Sequence, residues 1–317
     1  MGADRAGLDR ALRRFTVPFG RSNVVVAGVD GSESALRAVR WAAEEAVRQG
    51  AELRLVHAEL PLPAGVPDLR GSARRALHDE STGWMHDAVV TAKEIAPRLE
   101  IQARVEVNTA ARFLEQESET VSLVAVGPRG IGGFSGLRLG SVAVALSERS
   151  RCPVAIVKGE QPVPDAPVVV GVHGTPANWF VVDRAFDEAA VRGTSLVAVH
   201  AWIPPLGTEE VAAAVGIGWS ELDAARASVV AQRLASCADR HPDVPVERHV
   251  VHGSPAHQLV KFAEHAALLV VGSYGDDRLG GTGLGSTSHA VVQHAPSSVL
   301  LIRPGLAGQI ENAGRTA

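Results

Sequence analysis

At 317 residues the chain is long enough for two domains of ordinary size, each burying its own core. Its 46% hydrophobic and 21% charged residues are the mix of a globular protein, and a net charge of −4 removes the electrostatic case for a nucleic-acid partner. Two isolated cysteines, Cys152 and Cys237, argue against a disulfide framework or a thiolate metal site, and no apolar run approaches a membrane span.

In chain order, residues 1–21 read as a charged extension without the apolar centre of a secretory signal, which points to a cytoplasmic protein. Asn23–Val29 is a β-branched run suited to a strand buried on both faces. A helix follows from about Ser32 to Gln49, with Ser32 or Ser34 as its cap and Gly50 as its stop. Leu53–His57 is a second strand, Ala73–Ile95 a longer amphipathic helix, Ile101–Val107 a third strand and Ala111–Glu119 a short helix. Ser122–Val126 and Pro153–Val157 complete the strands, with a helix opening at Ser141 between them. Alternation of this kind predicts right-handed crossovers and a mostly parallel sheet covered on both sides.

The scheme then repeats. Gly28 and Leu53 find their counterparts in Gly171 and Leu196, 143 residues on, while Gly127 and Gly140 find theirs in Gly272 and Gly285, 145 residues on. The second copy runs from a strand at Val168–Val172 to one at Ser298–Ile302. This predicts an α/β protein of two tandem domains, 22–159 and 167–304, each a five-stranded mostly parallel sheet with helices on both faces. Residues 160–166 form the linker, which with Pro167 carries three prolines, and 305–317 form a C-terminal tail.

One loop carries chemistry. Gly127-Pro128-Arg129-Gly130 is followed by nine residues and then Gly140-Ser141; the second copy has Gly272-Ser273-Tyr274-Gly275, nine residues, and Gly285-Ser286. Gly127 sits at the carboxyl end of a predicted strand, where open parallel sheets bind ligands. Glycines let backbone amides approach a polyphosphate, and a helix opening at Ser141 offers unpaired N–H groups and a favourable dipole. The pattern is neither a Walker loop nor the tight glycine fingerprint of dinucleotide folds. Taken singly such a loop is more often only a sharp turn; two of identical spacing in a repeated unit favour phosphate binding.

This Gly-x-x-Gly-x9-Gly-Ser pattern, with a first strand ending in Val29-Asp30-Gly31-Ser32 and a second ending in Val56-His57-Ala58, resembles the universal stress proteins in their tandem-domain form. The resemblance implies ATP binding, with or without Mg²⁺, weak or no hydrolysis, and a regulatory or sensor role in stress survival or growth control. Carried over by position, Asp30 contacts the adenosine part, Ala58 lines the adenine pocket, and Gly127, Gly130, Gly140 and Ser141 hold phosphates and ribose. Gly272, Gly275, Gly285 and Ser286 are their second-copy equivalents. The resemblance also implies that the final strands pair across a two-fold axis within the chain, and leaves room for a homodimer and an unidentified protein partner.

The copies differ where it matters. His173 replaces Asp30, and Asp276 and Asp277 follow Gly275, so the second copy is expected to bind nucleotide less well. No catalytic residue and no metal site are expected: the seven histidines between His241 and His294 lack ligand spacing, and Ser141 and Ser286 lack a visible relay. Two other functions compete with regulation. A slow ATP hydrolase or nucleotide-dependent transferase would use Asp30 for Mg²⁺ and Arg129 or Arg138 for charge, but no base for water is evident. A dimerising scaffold without ligand would tolerate substitution of Gly130 or Ser141.

Overall fold

The computed structural model describes residues 22–61, 71–131, 139–159, 164–173, 178–203, 219–273 and 283–303, which fall into two compact units meeting at Lys158 and Gly159. In the first, strand β1 (Ser22–Gly28) leads into helix α1 (Glu33–Gln49), β2 (Glu52–Glu59), α2 (Ser72–Ile95), β3 (Ile101–Val107), α3 (Ala110–Glu117), β4 (Val121–Val126), α4 (Ser141–Arg149) and β5 (Val154–Ile156). Its strands lie in the order β3-β2-β1-β4-β5, all parallel. β1 and β4 occupy the centre, and Val25, Val26, Leu123 and Val124 are wholly buried, as their unbroken apolar sequence requires. Helices α1 and α2 pack together, as do α3 and α4. With right-handed crossovers, the chain's reversal of direction across the sheet sends the two pairs to opposite faces.

The ends of α1 follow from its sequence. Ser32 is the N-cap, accepting a hydrogen bond from the Ala35 amide at 3.1 Å, and Gly50 closes the helix at φ 60°. Replacing Ser32 by Ala is expected to lower the stability of this domain by about 1 kcal/mol, read as a shift in the denaturant midpoint at constant slope. An unshifted midpoint would mean that the cap bond is replaced by water at no cost.

The second unit is built alike, from β6 (Val168–Gly171), α5 (Trp179–Arg192), β7 (Leu196–Trp202), α6 (Trp219–Arg240), β8 (Val246–His252), α7 (Pro255–Ala263), β9 (Leu268–Gly272), α8 (Ser286–His294) and β10 (Val299–Ile302). Its sheet order, β10-β9-β6-β7-β8, is again wholly parallel. The duplication extends to buried polar groups. Glu45 of α1 and Glu188 of α5 are both fully buried; Glu45 accepts from Arg48 and Gln49, and Glu188 from Arg184 and Arg192. His57 and His200 each place Nδ1 against the backbone carbonyl ending the adjacent strand, Val29 at 2.7 Å and Val172 at 2.9 Å, which gives both a structural task. Among the described residues, no helix is long and apolar enough to cross a membrane.

Candidate nucleotide site

In the first unit the strand order changes direction between β1 and β4, and at their carboxyl ends opens a cavity of about 420 Å³. Open parallel sheets bind ligands at this point of the topology, and the volume is within the range of small-molecule sites. Asp30, Ala58, Gly127, Gly130, Gly140 and Ser141 all line it. Its apolar wall comes from Val56 on β2 and from Phe113 and Leu114 on α3, whose Phe113 is 2% exposed. The other wall is the loop after β4 and the start of α4. Gly140 caps α4 with extended backbone and without a side-chain bond, so the amides of the helix's first turn face the cavity without an internal acceptor. Arg129, exposed, stands at the rim.

The loop is held by two ties. The Gly140 amide donates to the Pro128 carbonyl at 2.7 Å, closing the loop at its base. Asp30 then anchors its first turn. One carboxylate oxygen accepts from the Ser32 amide at 3.0 Å and the other from the Ile131 amide at 3.1 Å. A Cβ on Gly130 would stand 2.0 Å from Asp30 Oδ2, so the absence of a side chain there lets the carboxylate reach across. A Cβ on Gly127 would stand 2.2 Å from the Ser34 hydroxyl and 2.9 Å from its carbonyl oxygen. Two glycines of the motif thus serve close approach of α1 and Asp30 as much as exposure of amides. Neither Ser34 nor the Asp30 tie is visible in the sequence, because both depend on which residues cross from β1 to the loop a hundred positions later.

The second unit shares part of this arrangement. The Gly285 amide donates to the Ser273 carbonyl at 2.8 Å, the counterpart of the first loop's closure, and Gly285 caps α8 as Gly140 caps α4. Gly272 ends β9, and Gly285 and Ser286 open α8 as Gly140 and Ser141 open α4. Gly275, Asp276 and Asp277 lie outside the described residues, as does Arg138 of the first copy. At the Asp30 position, the backbone amide of His173 donates to the Asn178 side chain at 2.8 Å, and Asn178 Nδ2 donates to the Gly171 carbonyl. The amide side chain of the residue that precedes α5 thereby ties down the strand end. Before α7, Gly253 has φ 117° and Pro255 opens the helix, where the first copy has Asn108 and Ala110. Among the described residues, no group of three or more His, Cys, Asp or Glu side chains is placed to hold a metal ion.

Comparison with known proteins bears on the family and the fold. The model of the universal stress protein family matches the chain twice, over residues 22–158 and 166–303. A universal stress protein of Mycobacterium tuberculosis is 36% identical over 295 residues, covering 89% of this chain and 97% of the relative. One from Mycolicibacterium smegmatis is 34% identical over 294 residues, covering 88% and 97%. The crystal structure of a universal stress protein from Archaeoglobus fulgidus superposes with a TM-score of 0.64 at 19% identity, covering 90% of this chain and 99% of its own, which shows a shared fold.

Proposed function

The chain belongs to the universal stress protein family, in its tandem-domain form, and on that footing we propose that its first domain binds ATP and acts as a nucleotide-responsive regulatory module in stress survival or growth control. The observation that carries this reading is the cavity between β1 and β4, apolar along β2 and α3 and lined by glycine backbone and a helix N-terminus opposite. The base goes against Ala58, Val56 and Phe113. The phosphates go to the Gly127–Gly130 turn and the first amides of α4, with Arg129 adding a cation. ATP seated against the Gly127–Gly130 turn alters the surface that a protein partner reads; binding shifts that equilibrium only by its differential affinity for the two states.

Binding is favoured over turnover by the state of Asp30. Both of its oxygens accept backbone amides, which leaves it poorly placed to hold Mg²⁺ for phosphoryl transfer unless the loop tie is first broken. Any Mg²⁺ then travels with the triphosphate. The second domain, with His173 in place of a carboxylate acceptor, is the weaker site.

Mass spectrometry of nucleotide released from the purified native chain, compared with Gly130→Ala, tests the reading. The native protein is expected to release ATP or bind it in titration, and Gly130→Ala to lose at least tenfold in affinity. The variant's fold is expected to survive, because the clash is with the movable end of Asp30. A native chain that neither carries nor takes up ATP overturns the proposal.

A further inference from the structure

One large side chain of the helix pair opposite the nucleotide cavity has no counterpart of its size in the second domain. Ile101 and Val246 open β3 and β8, and the buried pairs Met85 and Val230, Ala92 and Cys237 precede them at the same separation of 145, so Trp84 of α2 corresponds to Val229 of α6. In the first domain the Trp84 ring stands edge-on to His57, centroids 5.4 Å apart. It also presses on Gly31, where a Cβ would meet the indole at 2.4 Å and where φ is 80°. The indole thus fills the space over the ends of β1 and β2.

In the second domain Val229 leaves that space open. A cavity of about 310 Å³ lies there, bounded by Val172, His173 and His200 at the ends of β6 and β7 and by a stripe on α6 that includes Leu222, Arg226 and Val229. Val229 itself is 45% exposed. The second, independent observation is the state of Arg226. Its guanidinium lies 4.0 Å from the centroid of the Trp202 ring, and among the described residues no carboxylate pairs with it. Asp223, one turn earlier on the helix, instead accepts from His252 Nε2 at 2.8 Å and from Trp202 Nε1 at 3.3 Å. A guanidinium held over a ring face, with no carboxylate against it among the described residues, retains N–H donors for an anion.

We propose that this cavity, which shares Val172 and His173 with the second domain's nucleotide position but is otherwise built from His200 and α6, is a second small-molecule site that takes a compact aromatic carboxylate. The ring occupies the volume that Trp84 fills in the first domain, against Val172, Leu222 and Val229, and the carboxylate meets Arg226. The charge balance selects this class: one cation beside largely aliphatic walls matches a monoanion with an apolar body, and is too little for a polyphosphate. The proposal does not depend on ATP binding by the first domain.

Calorimetric titration of the full chain with 1-naphthoate, and with the neutral 1-naphthamide for comparison, tests it. Saturable 1:1 binding of the acid is expected, at least tenfold tighter than the amide and weakened at least tenfold by Arg226→Gln. Val229→Trp, which copies the first domain's solution, is expected to abolish it while ATP affinity stays unchanged. Should Val229→Trp melt early, Ala225→Phe obstructs the same cavity from an exposed position. The proposal is overturned by absence of binding at millimolar acid, by equal affinity for acid and amide, or by binding that survives the filled cavity.

Discussion

Replacing Gly127 by Ala is expected to destabilise the first domain by about 1–3 kcal/mol and to weaken ATP binding by at least tenfold. The Cβ would stand 2.2 Å from Ser34 Oγ, 2.9 Å from Ser34 O and 3.0 Å from Ser34 C. The hydroxyl can rotate away, but the carbonyl cannot. Ser34 is the second residue of α1, fixed by the Ser32 cap and by the bond from the Leu36 amide to the Ser32 carbonyl at 3.1 Å. Relief therefore requires either lifting the start of α1 or pushing the loop after β4 outward, and both deform the cavity. Thermal melting of the full chain and ATP titration read the two effects separately. Gly130→Ala, whose clash is with a movable carboxylate, is the contrasting case: affinity should fall with little change in melting. Identical behaviour of the two variants would show that the rigidity of α1 is not what makes Gly127 necessary.

The second large effect concerns pH and belongs to the second domain. Asp187, on α5, has its pKa raised from 3.8 to about 7, chiefly by burial. Arg184 and Arg240 pull it down, and Asp183 and Glu188 push it up. The His241 imidazole, stacked on Phe186, faces it with Nε2 3.4 Å away, and a protonated Asp187 can donate to that nitrogen. Burial wins over the cations. The sign follows: between pH 4 and pH 7 the folded chain keeps a proton that the unfolded chain has released, so this group favours folding in acid and its contribution is lost as pH rises through about 7. Asp187→Asn is expected to stabilise the second domain at pH 8 by an amount on the order of 2–4 kcal/mol, with little gain at pH 4. Denaturant unfolding at the two pH values measures it. An equal gain at both would assign the effect to hydrogen bonding or packing. In the first domain Glu44 and Ala96 occupy the corresponding positions, and Glu44 pairs with Arg48 at 2.8 Å.

Much of the architecture was legible because it rests on local rules. Ser32, Gly50 and the apolar stripe between them define α1 without reference to the rest of the chain, and the predicted and observed helices agree to one residue. The third strand was bounded correctly at both ends, Ile101 and Val107, by its alternation and flanking turns. Strands whose length is set by pairing were less legible: Leu53–His57 extends to Glu52–Glu59 where β2 pairs with β3. Pro153–Val157 reads as five residues and Val154–Ile156 pairs as three, since pairing with Val124 to Val126 sets its length and not its own composition.

By itself the sequence determined the duplication, the α/β alternation in each copy, and the glycine and serine positions at the carboxyl ends of the central strands. These depend on periodicity, capping and repeat spacing, all properties of neighbouring residues. Only the tertiary structure decided that Asp30 spends both oxygens on holding a loop, that Ser34 makes Gly127 obligatory, and that Trp84 fills a space which Val229 leaves open. Each of these is a meeting of side chain and backbone across elements far apart in sequence. Their consequences arise from the distance of approach, which close packing sets and no pattern along the chain records.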